Sequence, residues 1–200
     1  MVVIGGADCA YDCPVNAPSC TGSKYELGNI HTYESDAFDT KMQTAGEILT
    51  SFGDATVTYG SKLHMSMNYF CCYSETDLDI IRNVLNNYTW PSVEVNFDKP
   101  VWRIDSDAVD VDHYSIIVLI DEASQAKMSA IVTDVEDHIR AAGLDIHVPR
   151  ELQEPFHATL GVVNGLSYPT VSALNAVVDA FPSGSWTSDG PITLGSPTWG

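Results

Sequence analysis

The spacing of apolar residues predicts four amphipathic helices. In each, apolar side chains recur every three or four positions, which is the period that gives a helix one buried face. The helical segments are residues 41–52, 74–88, 124–143 and 170–181. Ser74 and Asp77 form a capping-box pattern at the start of the second segment, and Ser124 is predicted to cap the third. Gly53 follows the first segment and Gly143 ends the third, and glycine commonly ends a helix.

Apolar and polar residues alternate in two further segments, residues 63–70 and 156–162, which predicts strands with one buried face. His64 and His157 lie on the polar sides of these strands. Shorter runs rich in β-branched and aromatic residues also predict strands. They are residues 93–97, 101–104, 113–120 and 192–194. Residues 1–40 show neither period and are predicted to form a loop.

The order of these elements repeats along the chain. His64 lies 24 residues before Tyr88, where its helix ends, and His157 lies 24 residues before Phe181, where the corresponding helix ends. The two histidines are 93 residues apart. We therefore predict an α+β protein with a duplicated, bilobal fold, in which two antiparallel-type sheets flanked by helices surround a central cleft.

The repeat also predicts the domain organisation. Residues 1–40 form a cysteine-containing N-terminal arm, and residues 41–200 form the bilobal domain, with halves at about 41–104 and 113–195. A chain of 200 residues is the size of one ordinary domain. Hydrophobic residues make up 44% of it and charged residues 18%, which is enough apolar material for a core.

The chain is strongly acidic. Nine Lys and Arg oppose 27 Asp and Glu, for a net charge of −18. Such a surface repels long polyanions, because nucleic-acid binding draws its affinity from clustered cations. The longest apolar run, residues 114–120, is far shorter than the ~20 residues that a membrane-spanning helix needs. We expect a soluble monomer that binds neither long nucleic acid nor a membrane.

Five cysteines predict disulfides. They are Cys9, Cys13, Cys20, Cys71 and Cys72. No Cys-x-x-Cys pair and no histidine lies at zinc-ligand spacing, so a disulfide framework that ties the N-terminal arm to the body is the favoured interpretation. The pairing is left open, and one cysteine stays free or pairs between chains.

The triplet Asn87-Tyr88-Thr89 is an acceptor for N-glycosylation at a predicted helix end. Together with the cysteines it favours a secreted or extracellular protein, and a cytoplasmic location is the alternative. The opening residues contain no signal peptide, so a secreted form is expected to have lost one by processing.

Two histidines have a hydroxyl residue two positions further on: His64 with Ser66, and His157 with Thr159. Residues two apart on a strand share a face, so each strand places an imidazole beside a hydroxyl. A neutral histidine can take a proton from water while a protonated one gives a proton to a leaving oxygen, and hydroxyls can donate hydrogen bonds to phosphoryl oxygens. The alternative is that both histidines are structural residues at strand ends.

The number of such triplets, compared with the number expected by chance, shows how specific the pattern is. With 33 Ser and Thr among 200 residues, six histidines are expected to give about one His-x-Ser or His-x-Thr triplet by chance. The chain has three. The third, His113-Tyr114-Ser115, lacks both the apolar residue before the histidine and the surrounding repeat. We interpret it as part of an ordinary strand, and the position of the other two within the repeat makes them the candidate site.

The segments LHMSM at residues 63–67 and FHATL at residues 156–160 resemble the two motifs of the 2H phosphoesterase superfamily, the LigT-like cyclic phosphodiesterases. The resemblance covers roughly residues 41–195, and the motif separation and flanking helices fit the duplicated fold of that family. It implies hydrolysis of 2′,3′-cyclic phosphates or of related RNA-terminal and 2′-5′ phosphodiester bonds. The residues that it assigns are His64 and His157 as catalytic acid and base, and Ser66 and Thr159 on the phosphate.

Further candidate substrate-binding residues flank these motifs. Lys62 shares the face of His64 by alternation and could attract phosphate, while Phe70 and Trp102 could stack a base. A solvated lysine and core aromatics are the alternatives. The acidic run at residues 105–112 lacks the turn glycine and closing glutamate of a calcium-binding loop and is predicted to be a solvated loop. We expect neither a metal nor a cofactor.

The sequence therefore predicts a phosphoric diester hydrolase that acts without metal on 2′,3′-cyclic nucleotides or short 2′-5′ or terminal RNA phosphodiesters, by two-histidine general acid/base catalysis. The charge of −18 favours small nucleotides or short oligonucleotides, because surface charge is screened beyond about 8 Å at physiological salt. The alternative is a secreted, non-catalytic nucleotide- or phosphate-binding module on the same fold. The pseudo-symmetry leaves open which histidine is the base.

Overall fold

The described residues form antiparallel sheets and two long helices, which confirms the predicted α+β class. The structure, a computed structural model, describes residues 27–32, 43, 47, 56–58, 64–70, 73–104, 114–147, 155–164, 175–176, 178–181, 191–194 and 197–199. The strands are β1 (Leu27–Thr32), β2 (Thr56–Thr58), β3 (His64–Phe70), β4 (Val93–Val95), β5 (Phe97–Ile104), β6 (Tyr114–Ile120), β7 (His157–Asn164), β8 (Ile192–Leu194) and β9 (Pro197–Trp199). The helices are α1 (Glu75–Asn87) and α2 (Glu122–Ala141).

Helix α1 begins at the predicted capping box. The hydroxyl of Ser74 accepts a 3.2 Å hydrogen bond from the backbone N–H of Asp77, and the Asp77 carboxylate accepts one from the backbone N–H of Ser74. Two N–H groups that the first turn would leave without partners are thereby satisfied. Leu78, Ile81 and Leu85 then bury one side of the helix. The predicted bounds of this helix are confirmed to within one residue.

Helix α2 begins earlier than predicted. Its N-cap is Asp121, not Ser124, so that prediction is wrong. The Asp121 carboxylate accepts a 2.7 Å hydrogen bond from the backbone N–H of Ser124, and the Ser124 hydroxyl accepts one of 2.9 Å from the backbone N–H of Asn96. Asp121 is favoured at the cap because its charge also offsets the positive end of the helix dipole. The predicted end is confirmed at Gly143, whose φ of 91° favours glycine.

Replacing Asp121 by alanine tests this cap. We expect Asp121→Ala to lower the free energy of unfolding by about 1 kcal/mol at neutral pH. Hydrogen bonds from Ser124 hold the pKa of the Asp121 carboxyl below its usual range. The stabilisation is therefore present above the unfolded pKa of about 3.9 and is lost as the pH falls through the lower folded pKa.

Urea unfolding of wild type and variant at several pH values measures this effect. The difference between the two proteins should shrink as the pH falls below about 4. Asp121→Asn is the matched control, because asparagine also caps helices but carries no charge, so it should retain most of the stability at neutral pH. A difference that is constant from neutral to acidic pH would contradict the assignment of this carboxylate as the cap.

Seven strands form one antiparallel sheet. Its order is β5-β6-β7-β3-β1-β9, and β2 pairs with β7 beyond the end of β3. Strands β4 and β8 form a separate two-stranded sheet. β1 lies within residues 1–40, so the prediction that this whole segment is a loop is wrong for Leu27–Thr32. Gly28 and Asn29 interrupt any alternation there, and the pairing of β1 with β3 and β9 makes the strand.

The hydrophobic core lies on one side of the large sheet. Helix α2 packs there through Met128 and Val132, both 0% exposed, against Met65 and Ala158 of the sheet. A second cluster joins α1 to α2 and includes Leu78, Ile81, Leu85, Val135 and Ile139. The face covered by α2 is called the helix face below. The other is called the histidine face.

The duplicated, bilobal arrangement is not confirmed. β3 and β7 carry the two histidines, and they are hydrogen-bonded neighbours in one sheet rather than strands that face each other across a cleft. The alternation in each segment shows that one side of the strand is buried, but it does not show which strand lies beside it. The predicted domain boundaries stay a prediction.

Other predicted elements agree where they are described. Gln43 and Glu47 are helical within the predicted helix 41–52, as are residues 175–176 and 178–179 within the predicted helix 170–181. The five cysteines and the acidic run 105–112 lie outside the described residues. No helix in the described part of the chain is both long and apolar enough to cross a bilayer.

Candidate active site

The four motif positions meet at the junction of β3 and β7. Met65 pairs with Ala158 across this junction, and both side chains are 0% exposed on the helix face. The flanking positions of an antiparallel pair also oppose each other, so position 64 lies opposite 159 and position 66 opposite 157. Because neighbouring residues alternate between faces, these four positions share the histidine face.

The spacing of these positions follows from sheet geometry. Residues directly opposite each other have Cβ atoms about 4.5–5.5 Å apart, and diagonal neighbours are separated by about 7–8 Å. His64 opposite Thr159 and Ser66 opposite His157 are the direct pairs. The two histidines therefore occupy one diagonal of a four-residue patch, and the two hydroxyl residues occupy the other. The structure brings together the residues that the sequence singles out, and their roles stay a prediction.

Neighbouring strands extend this patch into two rows across the sheet. In the first row His157 pairs with Leu119 of β6, and Ser66 with Ile30 of β1. In the second, Thr159 pairs with Ile117, and His64 with Thr32. Ile117 is 3% exposed, so the histidine face is covered at this position of β6.

Each histidine strand contains a β-bulge. On β3, Met67 and Asn68 both oppose Asn29 of β1. On β7, Leu160 is the extra residue, between the partners of Ile116 and Ile117. A bulge interrupts the alternation of faces and changes the direction of the side chains beyond it. Both bulges begin directly after a His-x-hydroxyl triplet. The regular pairing that starts at each histidine is therefore interrupted directly after the hydroxyl residue.

The bulge in β3 corrects the prediction for Phe70. Simple alternation puts Phe70 on the face of His64, but the extra residue reverses the side of the strand on which it lies. Phe70 is 2% exposed, packs in the cluster between α1 and α2, and contacts Tyr73 edge-to-face with ring centres 6.2 Å apart. It is a core residue, and it does not offer its ring to a base on the histidine face.

The remaining predicted residues lie elsewhere. Trp102 pairs with Ile116, which is 0% exposed on the helix face, so position 102 is on the face opposite to the histidine positions. Lys62 lies outside the described residues. Asn87 is exposed at the last residue of α1, and its Nδ2 donates a 2.7 Å hydrogen bond to the Asn83 carbonyl. Its glycosylation stays a prediction.

The ring of His157 has a fixed orientation. Nδ1 lies 2.8 Å from the backbone carbonyl oxygen of Pro155. A carbonyl oxygen only accepts, so Nδ1 carries the hydrogen and the lone pair of the neutral ring is on Nε2. Nε2 can therefore take up a proton, and after protonation it can donate one. The side chain is half-buried, which leaves part of the ring accessible.

Gln125 anchors the backbone next to this histidine, and no sequence pattern predicts this contact. Its Oε1 accepts a 2.8 Å hydrogen bond from the N–H of Phe156, and its Nε2 donates one of 2.8 Å to the Phe156 carbonyl. Nε2 also lies 3.3 Å from the Ile120 carbonyl. The first turn of α2 thus holds the residue before His157 at both of its peptide groups. The 31 residues between the partners explain why no local pattern indicates the contact.

Replacing Gln125 tests this anchor. We expect Gln125→Ala to lower the free energy of unfolding by about 2 kcal/mol, because two backbone groups of Phe156 lose their partners. Under the two-histidine mechanism that the sequence predicts, we also expect kcat to fall more than the affinity for substrate, since the displaced group is His157. Denaturant unfolding and steady-state kinetics measure the two effects. Gln43→Ala, at an exposed helical position, is the matched control. Unchanged stability and kinetics would show that the contact does not position His157.

Comparison with known proteins adds information at the level of the fold. By sequence, the chain matches no protein-family model and no curated protein. By structure, it is similar to Usb1 of Kluyveromyces marxianus, with a TM-score of 0.54 and 12% identity over 84% of this chain and 90% of that one. The two proteins share a fold. A Usb1 structure with uridine monophosphate gives a TM-score of 0.50 and 13% identity over 86% of this chain and 97% of that one.

This likeness is one of fold, and membership of the 2H phosphoesterase superfamily, which the two motifs suggest, stays a prediction. The shared fold covers most of the length of Usb1. Within the described ranges, no three His, Cys, Asp or Glu side chains come together as a metal site would require. The expectation of a reaction without metal stays a prediction.

Proposed function

We propose that the protein is a phosphodiesterase that hydrolyses 2′,3′-cyclic nucleotides or short RNA-type phosphodiesters without a metal ion, with His64 and His157 as general acid and base. The observation that carries this proposal is the register of β3 and β7, which puts two histidines and two hydroxyl residues in one patch. The diagonal placement suits an in-line displacement, in which the attacking and leaving oxygens lie on opposite sides of phosphorus.

The proposed reaction uses each residue of the patch once. One histidine takes a proton from water as the water oxygen bonds to phosphorus, and the other gives a proton to the ribose oxygen whose bond to phosphorus breaks. Ser66 and Thr159 donate hydrogen bonds to the two non-bridging oxygens, which carry the developing charge. The product is a phosphomonoester. Each general catalyst contributes about 10²–10⁴-fold, so the pair accounts for a large acceleration.

The nucleotide part of this proposal has separate support. A Usb1 structure has been determined with uridine monophosphate, so that protein accommodates a nucleoside monophosphate on the shared fold. In this chain the net charge of −18 disfavours a long polyanion, whereas one phosphate held between two histidines is a local interaction. Both observations favour a small nucleotide or a short oligonucleotide as substrate.

A substrate panel in the presence of EDTA tests the proposal. It contains 2′,3′-cyclic nucleotides, 3′,5′-cyclic nucleotides and short 2′-5′ and 3′-5′ oligonucleotides. We expect EDTA-resistant turnover of at least one member, with a phosphomonoester as product. A wild-type protein that binds these compounds and turns over none would instead be a nucleotide-binding module on the same fold.

A further inference from the structure

We propose that a groove between helices α1 and α2 holds the first sugar of an N-linked glycan on Asn87, and that this contact stabilises the helical layer. The ligand is the N-acetylglucosamine that N-glycosylation attaches to the asparagine amide. The groove belongs to the helices and not to the histidine face, so the inference is independent of the proposed function. It goes beyond the acceptor triplet, because it gives the glycan a binding surface and a structural effect.

The groove is lined by side chains of both helices and has a volume of about 530 Å³. All three residues of the triplet Asn87-Tyr88-Thr89 line it, together with Val84 of α1 and Asp134 of α2. Clefts that hold small ligands measure roughly 300–1,000 Å³. A sugar attached to Asn87 therefore begins inside a cleft that is large enough to hold it.

The end of α1 presents the acceptor residues to solvent. Asn87 is the last residue of the helix, and Tyr88 follows it in an extended conformation with φ −72° and ψ 134°. Asn87 and Thr89 are both exposed. Glycans are bulky and need a surface position. Both residues of the triplet that take part in N-glycosylation meet this requirement.

The hydrogen bonds of Asn87 indicate the direction that the sugar takes. Its Nδ2 donates a 2.7 Å hydrogen bond to the Asn83 carbonyl and one of 3.1 Å to Asn83 Oδ1. A glycosylated Nδ2 keeps one hydrogen, which can retain the shorter bond. The sugar then replaces the hydrogen that points at Asn83 Oδ1. Asn83 also lines the groove, and it is exposed, so its side chain can turn to make room.

Tyr88 offers the sugar an aromatic surface with a fixed orientation. Its hydroxyl donates a 2.6 Å hydrogen bond to Asp134 Oδ2, which links the two helices. The rings of Trp90 and His138 pack edge-to-face with the Tyr88 ring, with centres 4.8 and 5.3 Å away. Tyr88 is half-buried, so part of its side chain is accessible. The C–H groups of a sugar can pack on such a ring while its hydroxyls donate to a carboxylate such as Asp134.

A chance triplet is the competing explanation. Three-residue acceptor patterns are short, and an exposed asparagine at a helix end needs no further function. The two explanations differ in what they predict for thermal stability. Loss of the acceptor does not change the stability of a protein whose triplet is accidental, whereas it removes the contact of a sugar that is bound in the groove.

The test uses the full chain, produced with a cleavable secretory leader in a eukaryotic host that N-glycosylates. Thr89→Ala removes the acceptor and keeps Asn87 and Tyr88, and Thr89→Ser retains the acceptor as the matched control. We expect mass spectrometry to find a glycan at Asn87 in the wild type and in Thr89→Ser. Thr89→Ala should carry none there, and its Tm should be lower by about 2–4 °C. Trimming the wild-type glycan to its first sugar should leave the Tm unchanged.

A relocated glycan separates the effect of the groove from that of glycosylation in general. In the Thr89→Ala background, Lys127→Asn creates an acceptor with Ser129 at an exposed position of α2, and Lys127→Gln creates none. Lys127 is not among the residues that line the groove. We therefore expect these two double variants to have the same Tm, although one carries a glycan.

Several results would overturn the inference. A wild-type protein without a glycan at Asn87 would show that the triplet is not used. A glycosylated wild type with the same Tm as Thr89→Ala would show that the sugar does not bind in the groove. Equal stabilisation by the relocated glycan would assign the effect to glycosylation at any position. A Tm difference that persists when both proteins are made in bacteria, without glycans, would assign it to the Thr89 side chain.

Discussion

His157→Ala is expected to lower kcat by about 10²–10⁴-fold while changing KM little. Nδ1 of the imidazole lies 2.8 Å from the Pro155 carbonyl oxygen, which puts the lone pair of the neutral ring on Nε2. In the proposed mechanism the imidazole carries a proton, and alanine removes it but keeps the backbone pairing of β7. His64→Ala should have an effect of similar size, because the proposed mechanism assigns both proton transfers to the same displacement. The measurement is steady-state turnover of the best substrate of the panel.

The pH dependence of kcat/KM adds a second measurement. A reaction that needs one neutral and one protonated histidine gives a bell-shaped profile in the wild type, and each variant should lose one limb of it. The limb that disappears identifies the base and the acid. His138→Ala is the matched control, because His138 is exposed on α2, where its Nδ1 lies 2.8 Å from the Asp134 carbonyl oxygen. Activity in His157→Ala equal to that of the control would refute the two-histidine mechanism.

The two single variants should not be additive. When two residues act in one step, removing either takes away most of what both provide, so His64→Ala with His157→Ala is expected to be little worse than the more damaging single variant. A double variant whose loss equals the product of the single losses would indicate that the histidines act in separate steps. This comparison tests their cooperation without assuming which one is the base.

Phe156→Ala is expected to lower the free energy of unfolding by about 3–5 kcal/mol. Phe156 is 0% exposed in the cluster with Met128 and Val132 of α2, so alanine leaves a cavity where the sheet meets this helix. Small domains are stable by only about 5–15 kcal/mol, so the loss is a large fraction of the total. Urea unfolding followed by circular dichroism measures it.

Phe156→Leu provides the control. Leucine fills most of the same space, and we expect it to cost roughly 1 kcal/mol. Activity of the alanine variant should fall as well, even below its unfolding midpoint, because Phe156 precedes His157 and both of its peptide groups bind Gln125. A loss of less than about 1 kcal/mol for the alanine variant would show that the cluster rearranges to fill the cavity.

Local patterns predict much of the secondary structure. The capping box at Ser74 and the glycine at 143 are features of a few consecutive residues, and the structure places the ends of α1 and α2 near them. Strand β1, whose residues do not alternate, is missed because no local pattern shows it. β1 contains Gly28 and Asn29 and is held by β3 and β9, which lie far from it in the sequence.

The candidate site could likewise be predicted from the sequence only in part. The two His-x-hydroxyl triplets are visible in the sequence, because residues two apart on a strand share a face. The triplets come together because Met65 pairs with Ala158. These two residues are 93 positions apart in the sequence. The prediction for Phe70 is wrong because one extra residue in β3 reverses the faces beyond it, and alternation alone does not reveal a bulge.

The sequence by itself determined helix α1 with its capping box, the glycine that follows α2 and the alternation of the two histidine strands. Each of these follows from backbone periods and from hydrogen bonds between residues a few positions apart. Only the tertiary structure decided that β3 and β7 are neighbours, that Gln125 holds Phe156, and that a bulge turns Phe70 into the core. These features depend on strand order, register and bulges. Contacts between segments that are distant in the sequence set all three, because these segments bury their apolar faces in the same core.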